Sequence, residues 1–182
     1  AMVERTVDTF GRLDTLVNNA GVMLLGPILD APTEEWRRMV ELNLLGLFYC
    51  THAALPHLLS AAESGPRQVA DVVNVSSVAG RVARLGSGVY AATKWGVVAF
   101  SESLRQEVTG RHVRVSIVEP GATATELASH LRPEILEIQR QNFDNIERLE
   151  SEDIADAITF AVTRPRRVAT NEILVRPTEQ VR

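Results

Sequence analysis

The segment ADVVNVSS, residues 70–77, is a short run of apolar residues that ends in two serines, and it predicts a buried β-strand. Three other segments have the same form: LDTLVNNAG at 13–21, HVRVSIVEPG at 112–121 and NEILVRP at 171–177. Longer stretches of helical periodicity separate them, an alternation typical of an α/β fold with a parallel sheet. Polar residues close these strands, so we expect them to meet at the carboxyl edge of the sheet, where ligands bind.

The stretch between the first two strands predicts a helix with one apolar face. Thr33 is the expected N-cap after Pro32. Six residues at helical spacing form the predicted inner face: Trp36, Val40, Leu47, Thr51, Ala54 and Leu58. Asn43 falls on the same face, and an unsatisfied buried amide costs about 1 to 3 kcal/mol. We therefore expect Asn43 to have a hydrogen-bond partner.

Helical stretches also precede and follow the third strand. One helix is predicted to begin near Tyr90 and to end at Gly110, with an inner face of Val97, Ser101, Leu104 and Val108. The stretch 124–148 is helical but interrupted by Pro133, and Ser151 is the expected cap of the helix after it. This stretch is either a lid over the ligand edge or an ordinary amphipathic helix pair.

Composition limits the classes of partner. The 182 residues are 45% hydrophobic, which predicts one domain over residues 1–182 with a packed core. A net charge of -4 gives no basic field, so a small molecule is a better expected partner than nucleic acid or a membrane. The single cysteine, Cys50, is predicted to be a packed thiol in a reducing compartment. No apolar run approaches the roughly 20 residues that span a bilayer and the N-terminus has no signal-peptide layout, so a cytoplasmic location is expected.

The segment GSGVYAATKWG, residues 86–96, has two incompatible interpretations. Its first six residues match the pattern G-x-G-x-x-A of a loop that cradles phosphates. Such a loop must leave a strand directly, whereas VAGRVARL separates Gly86 from the strand end at Ser77. The spacing therefore favours the second interpretation, in which the glycines belong to a loop that leads into a helix.

In that second interpretation, Tyr90 and Lys94 act as a proton-transfer pair. At positions i and i+4 they share a helix face, so the ammonium can stabilise an ionised phenol and lower its pKa from about 10. Ser77, thirteen residues before Tyr90 and at a strand's carboxyl end, can hydrogen-bond a substrate oxygen. Taken singly, a Tyr and a Lys at helical spacing are more typical of a surface pair, and two serines after a strand are more typical of a turn.

Five motifs in order resemble the short-chain dehydrogenase/reductase family over essentially the whole chain. They are NNAG at 18–21, ELN with Asn43, NVSS with Ser77, YAATK with Tyr90 and Lys94, and EPGATATEL from Glu119. The resemblance implies a Rossmann-like, doubly wound parallel sheet with helices on both faces. The segments RLDTLVNNAGVMLLGP, NLLGLFYCTHAALPHLL and RPTEQV look most like the NADP-dependent subgroup that includes clavulanic acid dehydrogenase.

The resemblance also implies roles for individual residues. Tyr90 would be the general acid in carbonyl reduction and the base in alcohol oxidation, and Ser77 would hold and polarise the carbonyl. Lys94 would bind the nicotinamide ribose and lower the pKa of Tyr90, while Asn43 would keep a proton-supplying water chain. Ser76 would be a strand-end residue. The resemblance also implies three groups of cofactor contacts. On the adenosine side they are Asn18, Ala20 and Gly21, for which purely structural support is the alternative. The other contacts are Tyr90 and Lys94, and at the nicotinamide end Pro120, Gly121, Thr123 and Thr125; no metal ligand is assigned.

The expected function is hydride transfer between NADP(H), with NAD as the alternative cofactor, and a carbonyl or secondary-alcohol substrate. The helices at 33–60 and 88–109 pair between subunits in the family, which implies a homodimer or homotetramer. The alternative function is that of a non-catalytic reductase remnant that acts as an interaction or dimerisation protein.

The sequence departs from the family pattern before Asn18. Members open with a strand, a glycine-rich turn of the type T-G-x-x-x-G-x-G and two further strands, and this βαβ portion is missing here. The expected explanation is a truncated or mis-started reading frame, or an expressed fragment without the first strands. The strand at 13–21 would then have an uncovered edge. A smaller departure is Asp71, which stands where glycine is common.

Overall fold

The computed structural model describes residues 2–29, 31–143 and 145–181. Its described residues contain one four-stranded, fully parallel sheet in the order β1-β2-β3-β4. Asn18 pairs with Asn74 and Val75 pairs with Val118, so the carboxyl ends of the first three strands lie side by side. The four predicted strands are confirmed with tighter bounds: β1 Thr15–Asn18, β2 Ala70–Val75, β3 Val113–Pro120 and β4 Glu172–Val175.

Helices connect the strands and precede the first of them. A helix not predicted from the sequence, Met2–Phe10, opens the described chain as α1. The α-helices that follow are α2 Thr33–Val40, α3 Leu47–Ser64, α4 Gly88–Val108, α5 Pro133–Phe143 and α6 Ser151–Val162. A π-helix, Glu41–Gly46, joins α2 to α3, and 3₁₀ turns occupy Val78–Gly80, Thr109–Arg111 and Glu126–His130.

The helices pack on both faces of the sheet, as predicted. On one face, Leu58 of α3 and Leu104 of α4 are buried against Val72 and Val115. On the other, Ile154 of α6 packs against Val73 and Val118. All four residues predicted to form the inner face of α4, including polar Ser101, are buried.

A row of polar side chains crosses the face that carries α3 and α4. The Asn18 amide donates to Thr51 Oγ1 at 3.0 Å and to Asn74 Oδ1 at 2.8 Å. The Asn74 amide donates in turn to Ser101 Oγ at 2.8 Å. Each polar group that the helices bury against the sheet thereby gains a partner, which removes the cost of burying it. The row ties β1 and β2 to both helices.

The π-helix changes which residues face the core. Val40, predicted to be buried, is 39% exposed, and Met39 is buried in its place at 1% exposure. The extra residue in a π-turn shifts the helical phase by about 100°, so Met39 replaces Val40 on the inner face. Trp36, predicted on the same face, does pack against the buried cluster that contains Met39. Asn43, inside the π-helix, is buried as predicted.

Two predicted helix caps were wrong. Pro32, not Thr33, is the N-cap of α2, and Glu150, not Ser151, caps α6 through a reciprocal capping box with Asp153. The predicted interruption at Pro133 is confirmed: a 3₁₀ helix ends at His130 and α5 begins at Pro133, since the first helical turn needs no proline N–H.

The end of α4 differs from the prediction as well. The helix passes at Val108 into a 3₁₀ turn that contains Gly110, and the left-handed residue after the turn is His112, with φ of 61°.

One helical stretch, Thr33–Ser64, is long and apolar enough to cross a membrane by length and composition alone. The expectation that no run approaches this length was therefore wrong. The stretch buries Ala54 and Leu58 completely against the sheet. Only this side of the stretch is buried, and 28% of its most apolar window lies inside the described structure.

Asp71 forms a buried ion pair with the residue beside it on β3. Arg114 Nε donates to Asp71 Oδ1 at 2.7 Å, and both side chains are almost fully buried. The same guanidinium donates to the carbonyl of Val162, the last residue of α6, at 3.0 Å and to the carbonyl of Val168, in the segment after it, at 2.7 Å. The acidic residue where glycine is common therefore anchors an arginine that holds the end of α6.

We predict that Arg114→Met lowers the free energy of unfolding by about 3 kcal/mol, because it removes the buried partner of Asp71 and leaves that carboxylate only the contact with Arg67 Nη2 at 3.1 Å. Urea unfolding followed by circular dichroism measures this loss. The matched control is Arg111→Met, which breaks the exposed pair with Glu63 and should cost less than about 1 kcal/mol. Equal losses for the two variants would contradict the assignment.

Candidate active site at the carboxyl edge of the sheet

A cavity of about 820 Å³ lies at the carboxyl ends of the strands. Its wall is formed by the segment after β1, the turn after β2, the start of α4, the segment after β3 and parts of α5 and α6. Most of the wall is apolar, with side chains such as Met23, Leu25 and Val78. This is the edge where the sequence predicted a ligand site.

Tyr90 and Lys94 enter this cavity from the first two turns of α4. Both side chains are buried, at 6% and 7% exposure. Lys94 Nζ lies 5.8 Å from the centre of the Tyr90 ring and donates to the carbonyl of Val75 at 3.0 Å. Lys94 is also the only lysine among the 19 Lys and Arg residues of the chain. The structure therefore brings together the pair that the spacing predicted.

Ser77 follows β2 and reaches the same point. Its hydroxyl caps the turn Val78–Gly80 by accepting from the N–H of Ala79 at 3.1 Å. It is also hydrogen-bonded to the Tyr90 hydroxyl, a contact that favours the ionised phenol. Ser77, Tyr90 and Lys94 thus form one continuous polar cluster on the cavity wall.

Burial acts on both titratable groups of the cluster in favour of their neutral forms. It raises the pKa of Tyr90 above 10.0, and the hydrogen bond from Ser77 only partly opposes this rise. It lowers the pKa of Lys94 from 10.5 to about 8. The expected lowering of the Tyr90 pKa is therefore not met here, because desolvation by burial is the larger effect and the contact that opposes it comes from Ser77.

Asn43 has the partners that its burial required. Its amide oxygen accepts from the N–H of Val22 at 2.8 Å, and its nitrogen donates to the carbonyl of Val22 at 2.9 Å. The nitrogen also donates to Thr93 Oγ1 at 3.1 Å, and the Thr93 hydroxyl donates to the carbonyl of Tyr90 at 2.7 Å. Asn43 therefore connects the segment after β1 to the turn that carries Tyr90, through Thr93, which the sequence analysis did not identify.

Ser76 holds the backbone of α4 rather than a ligand. Its hydroxyl donates to the carbonyl of Lys94 at 3.0 Å. A Cβ added to Gly80 would lie 2.5 Å from Ser76 Oγ and 3.1 Å from that same carbonyl. The turn after Ser77 and the first turns of α4 can pack this closely only because residue 80 is glycine.

The residues predicted to contact a cofactor separate into two groups. Those on the cavity wall are Ala20, Gly21, Tyr90, Lys94, Pro120, Gly121, Thr123 and Thr125. Asn18 lies behind the wall, with its amide bonded to Thr51 and Asn74. The position of the Asn18 side chain is the one expected for a residue that stabilises the sheet, which was the alternative to a cofactor contact.

The glycine stretch before Tyr90 folds as a turn against another loop. Gly86 has φ of 78°, and its carbonyl accepts from the N–H of Gly26 at 2.8 Å. Ser87 N–H donates to the carbonyl of Arg84, and α4 begins at Gly88. The turn packs against its own chain and follows a loop rather than a strand, which agrees with the rejection of a phosphate loop.

A charged cluster behind the cavity anchors the turn after Ser77. Glu119, 1% exposed, is paired with Arg81, whose Nε donates to Glu119 Oε2 at 2.6 Å. Arg81 also pairs with Glu172 of β4. Sequence reasoning missed this cluster, although a glutamate inside the apolar run HVRVSIVEPG signals a buried charge that needs a counter-charge.

The stretch predicted as a possible lid does line the cavity. Leu127, Leu136 and Gln139 contribute to its wall. The stretch is attached at its far end, where Leu149 exchanges backbone hydrogen bonds with Ala122 and Ala124 at 3.0 and 2.7 Å. Its position is that of a cover, and whether it opens stays a prediction.

Comparison with known proteins gives one consistent result. Residues 1–136 match the short chain dehydrogenase family. An uncharacterized oxidoreductase of Staphylococcus saprophyticus is 35% identical over 184 residues, which cover 99% of this chain and 71% of that protein. The closed form of serine dehydrogenase complexed with NADP+ matches with a TM-score of 0.88 at 31% identity, covering 99% of this chain and 73% of that one. A metagenomic short-chain oxidoreductase in complex with NADP matches with a TM-score of 0.74 at 28% identity, covering 98% and 68%.

We predict that the Lys94 ammonium titrates near pH 8 in the folded chain and near 10.5 in urea. Since the chain has one lysine, ¹³Cε-lysine labelling gives a single side-chain resonance to follow by NMR. Between these two values the unfolded chain binds more protons, so stability should rise with pH over this window, by on the order of 2 kcal/mol from pH 7.5 to 10.

The variant Lys94→Met should lack this rise in stability. Tyr90 is present in both the unchanged chain and the variant, so the difference between their stability curves reports mainly the titration of Lys94. A folded-state midpoint near 10.5 would show that burial does not control this group.

Proposed function

The chain belongs to the short-chain dehydrogenase/reductase family and is an oxidoreductase of it, and we propose that it transfers hydride between NADP(H) and a carbonyl or secondary-alcohol substrate. The observation that carries this proposal is the meeting of Ser77, Tyr90 and Lys94 on one cavity wall. A hydroxyl, a phenol and an ammonium in this order can hold a substrate oxygen and move a proton to or from it.

The residues present suit the nicotinamide end of such a cofactor. Pro120, Gly121, Thr123 and Thr125 line the cavity after β3, on the same wall as Lys94. Lys94 supplies hydrogen-bond donors for ribose hydroxyls. We assign Ala20 and Gly21 to the adenosine side, Pro120, Gly121, Thr123 and Thr125 to the nicotinamide end, and Lys94 to the ribose. When bound, the nicotinamide supplies or accepts the hydride.

The proton is handled by the chain's own side chains. In the reducing direction, the Ser77 hydroxyl donates a hydrogen bond to the carbonyl oxygen and stabilises the negative charge that develops on it. Tyr90 gives its proton to that oxygen, so that hydride and proton together convert the carbonyl to an alcohol. In the oxidising direction, Tyr90 removes the hydroxyl proton.

Lys94 and Asn43 support this transfer. With a pKa of about 8, Lys94 is mostly cationic at pH 7, and its charge favours the ionised Tyr90 that forms after proton transfer. We propose that a water chain near Asn43 returns the proton to the site. The support for this role is that Asn43 lies beside Val22 and Thr93, next to the catalytic cluster.

NADP is the proposed cofactor, with NAD as the alternative. The support is that the serine dehydrogenase and metagenomic oxidoreductase structures carry NADP. We propose a small molecule as the substrate and a cytoplasmic location for the protein. The clavulanic acid dehydrogenase subgroup stays a prediction, as does the role of Asn18 at the cofactor.

We predict that Tyr90→Phe lowers kcat by at least about 100-fold, because it removes the group that exchanges the proton. Cofactor absorbance with a panel of ketones and aldehydes measures turnover, and NADPH fluorescence measures binding, which should change little. Tyr49→Phe, at the other tyrosine of the chain, is the matched control. Undiminished turnover in Tyr90→Phe would refute the assignment.

The proposed homo-oligomer would form through the stretch Thr33–Ser64 and α4. Leu45 and Tyr49 on the first, and Trp95 on α4, expose apolar surface, with Tyr49 at 69% exposure. The two helices are in direct contact, since a Cβ on Gly96 would lie 2.9 Å from Leu44. Adjacent helices with exposed apolar residues are suited to pairing with the same helices of a second copy.

We predict that Tyr49→Glu shifts the chain toward the monomer, because it places a charge in the apolar surface. Light scattering after gel filtration over a concentration series measures the shift. Phe160→Glu, an exposed aromatic on α6, should leave the oligomer intact. A stable dimer that binds no NADPH in calorimetry would favour the alternative function, a non-catalytic interaction protein.

A further inference from the structure

Arg176 directly follows β4, and its side chain lines the cavity. Its Nε is buried and has no hydrogen-bond partner among the described residues. The residue is only partly exposed, so water cannot fully solvate its charge. The structure thus places a guanidinium with an unsatisfied buried donor beside the proposed active site.

The buried carboxylates of the described residues have arginine partners. Asp71 is paired with Arg114, and Glu119 is paired with Arg81. Lys94 donates to the carbonyl of Val75 at 3.0 Å, and Arg132, whose Nε also lacks a hydrogen bond, has a carboxylate of Glu35 at 3.3 Å. A buried N–H donor without an acceptor is costly, so the Nε of Arg176 at the cavity wall points to an acceptor supplied by a ligand.

The charge of the wall agrees with an anionic ligand. The described charged residues that line the cavity include one acid, Glu126, against the basic residues Arg84, Lys94, Arg140, Arg148 and Arg176. The chain as a whole has a net charge of -4. Without Arg84 and Arg148, the basic residues Lys94, Arg140 and Arg176 still outnumber Glu126 at the wall, and the resulting field favours entry of an anion.

The position of Arg176 indicates which ligand carries the anion. Its Cα lies 3.2 Å from where a Cβ on Gly121 would be, and the N–H of Gly121 donates to the carbonyl of Val175 at 2.7 Å. Arg176 is therefore fixed against the segment that we assign to the nicotinamide end, where the substrate reacts. Building on the proposed function, we propose that Arg176 binds a carboxylate of the substrate, so that the enzyme acts on ketones or alcohols that bear an acid group.

The test compares acetoacetate with methyl acetoacetate, which present the same ketone with and without a carboxylate. The unchanged chain should have the higher kcat/KM for acetoacetate. Arg176→Met should lower that value by roughly 10- to 100-fold, the effect of a lost hydrogen bond to a charged group, and change the ester value by less than about threefold. Arg176→Lys keeps the charge but not the planar pair of N–H donors, so its kcat/KM for acetoacetate should lie between those of the unchanged chain and Arg176→Met.

The matched control is Arg167→Met, which makes the same change of net charge at an exposed position that does not line the cavity. It should leave both substrates unaffected. Equal kcat/KM for acid and ester in the unchanged chain would overturn the proposal. So would a loss in Arg176→Met that affects both substrates alike and weakens NADPH binding, because the arginine would then serve a cofactor phosphate.

A binding measurement without cofactor separates this proposal from the proposed function. Saturation-transfer NMR should detect acetoacetate on the chain, with the signal lost in Arg176→Met and retained in Arg167→Met. If the chain neither binds NADPH nor turns over, hydride transfer fails as its function, while acetoacetate binding that depends on Arg176 still supports the anion site. Acetoacetate binding that is absent, or that is unchanged in Arg176→Met, overturns the site.

Discussion

The amide of Asn43 is the contact on which the geometry of the site depends. It satisfies both backbone groups of Val22 and also reaches Thr93, whose hydroxyl holds the carbonyl of Tyr90. One buried side chain therefore sets the distance between the segment after β1 and the first turn of α4. Because a buried amide without partners is costly, these bonds resist displacement of either segment. The π-helix supplies the phase that turns Asn43 inward, which agrees with the frequent occurrence of π-turns at functional sites.

The sequence predicted what depends on local periodicity and on the parallel-sheet rule. Four strands, the inner face of α4 and the meeting of Ser77 with Tyr90 and Lys94 follow from spacing and from the position of polar residues at strand ends. What it could not predict depends on contacts between distant segments. The phase shift that exchanged Val40 for Met39 needs the π-helix, and the raised pKa of Tyr90 depends on how deeply the folded chain buries it. The periodicity of the sequence indicates neither the phase shift nor the depth of burial.

Burial gives Tyr90 and Lys94 a shared tendency toward neutrality, and this has a consequence for ligand binding. Desolvation raises the pKa of the phenol and lowers that of the amine to about 8. An anionic group brought close to Lys94 opposes the second effect, because it stabilises the ammonium. A charged Lys94 then favours the ionised Tyr90, the form that removes the hydroxyl proton in the oxidising direction. A negatively charged ligand close to Lys94 would therefore favour the protonation states that alcohol oxidation needs.

Two buried carboxylates of the described residues are matched by arginines on neighbouring segments. Asp71 and Arg114 face each other in register on β2 and β3, and Arg81 bridges Glu119 of β3 and Glu172 of β4. Each of these pairs holds a loop or a helix end against the sheet, so each has a structural role that needs no ligand. Arg176 lies at the end of the same sheet, yet its buried nitrogen has no such partner and the cavity lies beside it. The paired arginines therefore stabilise the fold, whereas Arg176 is available to bind a ligand.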